Sequence, residues 1–257
     1  MSNTENSQHR FVAGEYAPRA EDYVRSAVHS GGPDLDQMEA VVREHPGARV
    51  LDLGCGGGHC AYRAAPHAGE VVACDITTDM LRAVERTAAE RGLGNIRTEQ
   101  APAERLPFGD ASFDLVLCRF STHHWNNMQA GLMEARRVLR PGGRAVFVDT
   151  VAPPHPALDS HLQAMELLRD ASHVRNYTAG EWVAAVERAG FAVRSLTPRR
   201  LEMEFRSWTA RTRTPEAHVT AIRSLQSGAP EIARLHFRIA EDGGFWLDTL
   251  TLVLDAA

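Results

Sequence analysis

No stretch of this 257-residue chain stays apolar for the length a membrane span needs. The opening MSNTENSQHR lacks the apolar core of a secretory signal, so the chain reads as cytoplasmic, with residues 1–10 expected to be disordered. Cysteine is scarce: Cys55, Cys60, Cys74 and Cys118 are spaced for neither a paired CxxC zinc site nor a disulfide framework. Four reduced thiols and no metal are expected. Excess cationic charge is missing too, since 28 Lys plus Arg against 33 Asp plus Glu leaves −5. That balance argues against a nucleic-acid backbone as partner. The arginines between Arg194 and Arg213 alternate with Glu202 and Glu204 and read as a solvated face. There is no internal repeat and no low-complexity tract.

What is present is an alternation of strands and helices. Short apolar runs at Arg49–Leu53, Glu70–Cys74, Ile96–Gln100, Phe113–Cys118 and Arg144–Thr150 predict five strands. Helices are predicted between them, the one at Thr77 or Thr78 to Arg91 closing at Gly92 and the one at Asn127–Leu139 closing at Pro141-Gly142-Gly143. Such alternation argues for a parallel sheet covered by helices on both faces. After Val151 the pattern changes. A helix is expected at His161–Asp170, and Thr178-Ala179-Gly180-Glu181 reads as a capping box opening another. Phe191–Leu196 and Phe245–Leu254 are a sixth and seventh strand, with about 45 residues of helical character between them.

The sharpest signal is Val50-Leu51-Asp52-Leu53-Gly54-Cys55-Gly56-Gly57-Gly58. A glycine-rich turn between strand and helix lets backbone approach a ligand closely. The dinucleotide fingerprint GxGxxG would need its third glycine at His59, so the spacing departs from a nicotinamide site. Asp52, two residues before Gly54, disfavours a pyrophosphate and suits a ligand carrying ammonium and sulfonium charge. Asp75 ends the second strand, 21 residues after Gly54, where an acid can accept from both hydroxyls of a ribose.

Taken in order, VLDLGCGGG (50–58), VVACDIT (71–77), APAERLPFGDASFD (101–114), STHHW (121–125) and RRVLRPGG (136–143) resemble the class I S-adenosylmethionine (AdoMet)-dependent methyltransferases, and within them the ubiquinone/menaquinone-biosynthesis-like group. The resemblance covers about residues 48–150. It implies a Rossmann-like α/β fold: seven strands, mostly parallel with the last antiparallel, helices on both faces and a helical cap. It implies AdoMet as cofactor, with the methionine moiety at Asp52, Gly54, Cys55 and Gly56, and the ribose at Asp75 beside Ile76 and Met80. Ala103 and Glu104 would lie along the adenine, and Cys118 and His123 near the methionine end. Many relatives carry Asp where this chain has Pro102, so the adenine amino group falls to Glu104 or to backbone.

Methyl transfer from a sulfonium is an in-line displacement in which protein mainly aligns the acceptor. A base is required only when the acceptor must lose a proton. His123 and His124, after the fourth strand, are the catalytic candidates. Asp149 is a further edge residue. Residues 1–33 read as an N-terminal arm and cap helix, and 34–257 as the methyltransferase domain with cap insertions at about 151–180 and 203–243. The cap would offer Tyr16, Tyr23, His29, Arg175, Asn176 and Tyr177 to a small-molecule acceptor. Phe205, Trp208, Phe245 and Trp246 read as core. An AdoMet-binding protein that transfers no methyl, such as a cyclase or regulatory relative, and a macromolecular methyltransferase are the competing readings. The acceptor atom (oxygen, nitrogen or carbon) and the oligomeric state stay open at this level.

Overall fold

The computed structural model describes residues 3–19 and 30–256. Seven strands form one sheet: β1 (Arg49–Leu53), β2 (Glu70–Asp75), β3 (Ile96–Gln100), β4 (Phe113–Arg119), β5 (Leu139–Thr150), β6 (Phe191–Met203) and β7 (Phe245–Ala256). Their order is β3-β2-β1-β4-β5-β7-β6. Every pairing from β3 across to β5 is parallel, and β7 runs antiparallel to both β5 and β6. The order reverses between β1 and β4, the point at whose carboxyl edge open α/β sheets bind ligands.

Period-two alternation divides the central strands between two cores. Leu51, Leu53, Val72, Cys74 and Val116 face the core closed by α5 (Met128–Val138) and α7 (Ala179–Arg188). Val50, Val71, Ala73, Leu115 and Leu117 face the core closed by α2 (Pro33–Arg43), α3 (His59–Ala64) and α4 (Thr78–Glu90). α7 opens with the expected capping box: the Thr178 hydroxyl accepts from Glu181 N, and the Glu181 carboxylate accepts from Thr178 N. β6 runs seven residues beyond its expected end at Leu196 and, as an edge strand, leaves most of its side chains at least partly exposed.

A third apolar cluster belongs to the segments expected to form the cap. Leu158, Leu162 and Met165 of α6 (Pro156–Arg169) pack with Trp208 of α8 (Phe205–Arg211), Ile222 of α9 (Glu216–Ser227) and Phe237 of α10 (Glu231–Phe237). Phe205 and Phe245 are buried in it, as expected of core residues. The expectation of disorder does not hold for residues 3–10, because α1 runs from Asn3 to Tyr16. Its overall polarity hides a narrow stripe, His9, Val12 and Tyr16, at i, i+3 and i+7 on one helical face. That face closes over the cavity described next.

Candidate functional site

The cavity lies at the carboxyl ends of β1, β2 and β4. One wall is the glycine loop. Gly54 has φ +68°, and a Cβ there would lie 1.9 Å from Ser121 Oγ, so backbone conformation and space both require glycine. The Asp52 carboxylate accepts from Ala61 N at 2.9 Å. Gly58 caps α3 without a side chain, so Asp52 supplies the anion that a helix N-terminus attracts. Asp75 accepts from Gly56 N at 2.9 Å and from Thr77 N at 2.9 Å, which ties the loop after β2 to the loop after β1. Burial pushes the Asp52 carboxyl up to about 7, helped by the Asp75 charge and opposed by the Ala61 N–H. Burial also raises Asp75, against the hydrogen bonds from Thr77 and Gly56. A cationic ligand reverses both penalties.

The second wall is assembled from side chains. His123 Nδ1 lies 2.5 Å from Asp149 Oδ1, and Asp149 also accepts from His123 N. This arrangement fixes the ring and leaves Nε2 as its other nitrogen. Burial pulls the His123 imidazolium down, but the charge and hydrogen bond of Asp149 outweigh it, and the group ends above the ordinary histidine value. His124 goes the other way. Burial first, then the neighbouring His123 charge, lowers it to about 3. His173 is lowered to about 3 by the same two causes. The Tyr16 hydroxyl donates to Asp170 Oδ2 at 2.7 Å and lies 2.9 Å from His124 Nε2, so α1 is latched onto this wall. Burial would raise Asp170, but His124, Ser172 and Tyr16 hold it below the usual carboxylate range.

Of the residues read from sequence, Asp52, Gly54, Cys55, Gly56, Asp75, Ile76, Met80, Ala103, Glu104, His123, His124, Tyr16 and Asn176 line the cavity. Four do not. Cys118 is fully buried within β4, its Sγ 3.6 Å from Thr122 Oγ1, because its side of the strand faces the α5 core. Asp149 stands behind His123 rather than in the lining. Arg175 turns to Asp159 and Glu181, and Tyr177 faces a separate surface depression beside Asn127 and Arg188. Tyr23 and His29 lie outside the described residues. Glu104 is engaged by His9 at 3.3 Å and by Asn127 N at 3.2 Å.

Composition concealed several lining residues. Arg169 and Glu166 of α6, and Trp208 and Arg211 of α8, face the same cavity, together with Leu201, Met203 and Leu247. Arg211 therefore departs from the solvated face that its neighbourhood suggested. A helical reading of 205–211 would have found Trp208 and Arg211 three apart on one side. Arg119 also lines the cavity and pairs with Asp34. Among the described residues no group of His, Cys, Asp and Glu is placed to hold a metal, and no helix is long and apolar enough to cross a membrane.

Residues 51–147 match the family model described as a methyltransferase domain. YafE of Escherichia coli (strain K12) is 45% identical over 193 residues, 75% of this chain and 93% of its own. The uncharacterized methyltransferase YcgJ of Bacillus subtilis (strain 168) is 34% identical over 224 residues, 87% of this chain and 88% of its own. Its crystal structure superposes with TM-score 0.83 at 32% identity, covering 86% of this chain and 97% of that one. The ubiquinone/menaquinone biosynthesis C-methyltransferase UbiE of Ectopseudomonas mendocina (strain ymp) is 37% identical over 117 residues, 44% of this chain and 46% of its own. The chain belongs to the class I AdoMet-dependent methyltransferases.

Proposed function

We propose that this chain binds AdoMet along the glycine loop and transfers its methyl group to a small-molecule acceptor held against His123 and His124. The observation carrying this reading is a single cavity that joins the Gly54–Gly58 loop to the histidine pair under α1 and α6. The residues present fit the cofactor: three acids, Asp52, Asp75 and Glu104, line the loop side, and burial raises two of them, Asp52 and Asp75, which a cationic ligand would lower. Bound AdoMet supplies the electrophilic methyl. Asp75 would hold the ribose, Asp52 and Gly54 to Gly56 the methionine end, and Ala103 and Glu104 the adenine. Asp149 fixes the His123 ring so that Nε2 can accept a proton from the acceptor. Residues 151–180 and 203–243 serve as a roof that encloses a compact ligand, while a long polymer would need an open edge. In this reading the protein works in the cytoplasm, with no nucleic acid as partner.

Labelled AdoMet incubated with the protein and a cell extract, followed by dialysis, tests the reading. Label is expected in the dialysable fraction. Label confined to protein or RNA would defeat the small-molecule acceptor, and no transfer to any fraction would favour a non-transferring AdoMet binder. S-adenosylhomocysteine should bind at micromolar order, about −8 kcal/mol, without competition from NAD. Asp75→Ala should cost about 2–3 kcal/mol of that affinity by calorimetry, and an unchanged value would remove Asp75 from the site.

A further inference from the structure

Asn176, between α6 and α7, is 1% exposed and lines the cavity. Neither atom of its side-chain amide has a hydrogen-bond partner among the described residues. Burying an amide unmatched is unfavourable, so one kept in a cavity wall points to a ligand that completes it.

Its placement is rigid. Gln163 of α6 brackets the Asn176 main chain: Gln163 Nε2 donates to Asn176 O at 2.7 Å, and Gln163 Oε1 accepts from Asn176 N at 3.1 Å. A flipped Gln163 amide would set donor against donor and acceptor against acceptor, so its orientation is fixed. Gln163 Nε2 also donates to Asp159 Oδ1 at 2.8 Å. His173 Nε2 lies 2.9 Å from the accepting Oε1 and must therefore carry the proton of its neutral ring. On the other side, Val174 N and Arg175 N donate to His123 O at 2.8 and 3.2 Å. Asn176 thus shares one frame with His123, whose ring Asp149 orients.

An asparagine amide presents an acceptor, Oδ1, beside a donor, Nδ2. A lone hydroxyl serves one of them well. A ligand with an acceptor and a donor on neighbouring positions serves both, the two-bond pairing that asparagine makes with a nucleobase edge. Met203, Trp208 and Leu247, which pack with α6 in the third apolar cluster, line the same cavity and suit an apolar body.

Resting on the small-molecule reading above, we propose that Asn176 recognises the acceptor, and that the acceptor is an apolar molecule bearing a lactam- or carboxamide-like edge, a carbonyl beside an N–H. Asn176 pairs with both halves of that edge and turns the methyl-accepting atom toward the cofactor. A molecule lacking either half leaves a buried group unmatched and is rejected.

Calorimetry of the full chain saturated with S-adenosylhomocysteine compares carbostyril, a bicyclic lactam with both halves of the edge, with N-methylcarbostyril, which lacks the donor. Carbostyril should bind about tenfold or more tighter. Asn176→Leu should abolish that preference and leave S-adenosylhomocysteine affinity unchanged. It should also raise the melting temperature by about 2 °C or more, because an apolar group replaces an unmatched buried amide. Asn176→Ala, which cannot overpack, should repeat the loss of preference with cofactor affinity unchanged. A melting temperature lowered in both variants would make Asn176 structural, and a tenfold loss of S-adenosylhomocysteine affinity would assign it to the cofactor. Either result overturns the inference. So do equal affinities for the two probes, a preference that survives in the variants, or no binding of either probe at millimolar concentration. If label from AdoMet still reaches dialysable compounds, only this inference falls. Label found solely in macromolecules brings down the small-molecule reading instead.

Discussion

The two walls of the cavity are built by different means. The glycine-loop wall comes from two short contiguous segments, residues 52–58 and 75–77, and its bonds run from backbone N–H groups to the carboxylates of Asp52 and Asp75. The histidine wall gathers Tyr16, His123, His124, Asp149, Asp170 and Ser172 from α1, the loop after β4, the end of β5 and the loop after α6, and most of its bonds join side chain to side chain. A wall of backbone fails at one residue when a Cβ intrudes. A wall of side chains fails as a network, and its members set one another's protonation.

The largest effect expected on either wall is Gly54→Ala. The new Cβ would meet Ser121 Oγ at 1.9 Å on a backbone at φ +68°. Overpacking and left-handed strain together should cost roughly 3 kcal/mol of stability and abolish cofactor binding. Thermal melting with calorimetry checks both. A variant that still binds S-adenosylhomocysteine normally would show that the loop is not held as rigidly as the contrast claims.

Next in size is the dyad of the second wall. His123→Gln should lower kcat by about a hundredfold or more, the usual worth of a positioned base, with cofactor affinity nearly unchanged. Because Asp149 raises His123, a base that must be unprotonated gives activity that climbs with pH through a value above 6.5. Asp149→Asn removes the charge while keeping an acceptor, so that acidic limb should move to lower pH and kcat should fall. An unmoved limb in Asp149→Asn would detach the pH dependence from this pair. Full turnover in both His123→Gln and His124→Gln would leave positioning alone as the mechanism.

This contrast also explains how much of the molecule was legible in sequence. The sheet was legible because strand periodicity and stop residues are local, and Gly54, Asp52 and Asp75 announce themselves by spacing. Asp75 also holds Gly56 N, which spacing does not reveal. The helix at Asn3–Tyr16 was missed because one narrow stripe on a polar segment gives almost no periodic signal. Arg169 and Arg211 were missed because only the tertiary packing of α6 on α8 turns them inward, whereas Trp208, read as core, is buried there and also reaches the cavity. His123 and His124 were legible as a pair, but the raised His123 depends on Asp149, which is distant in sequence, and the lowered His124 on burial first and then on the His123 charge.

Confined to the second wall is an acid sensitivity. His124 and His173 sit near 3 in the folded chain against an ordinary 6.5, so between those values the unfolded chain binds protons that the fold refuses. Their stabilisation is complete above pH 6.5 and drains as pH falls, by up to about 1.4 kcal/mol per pH unit for each group. His123 has the opposite sign: its raised value stabilises at low pH and is lost as pH rises through it. Chemical denaturation between pH 7 and 4 should therefore show falling stability, with a shallower slope in His124→Gln. Equal slopes in variant and wild type would mean that His124 is not held neutral by this wall.

The smallest effect tests where the second wall ends. Arg175 follows directly on the loop that carries His173, and sequence alone placed it with the acceptor residues. Its guanidinium instead pairs with Asp159 at 3.3 Å and Glu181 at 3.4 Å and lies over the Tyr177 ring, away from the cavity. These groups are partly exposed, and exposed pairs contribute little, so Arg175→Ala should change stability by no more than about 0.5 kcal/mol. The Arg175 backbone, by contrast, bonds to His123 O through its N–H at 3.2 Å, and the substitution leaves that bond in place. KM for the acceptor and kcat should both match wild type. A tenfold rise in KM would place the side chain in contact with the acceptor and move the boundary of the wall outward to Tyr177. A proline at the same position would remove the bond to His123 O, so a loss of turnover in Arg175→Pro beside a silent Arg175→Ala would assign the role of this residue to its backbone.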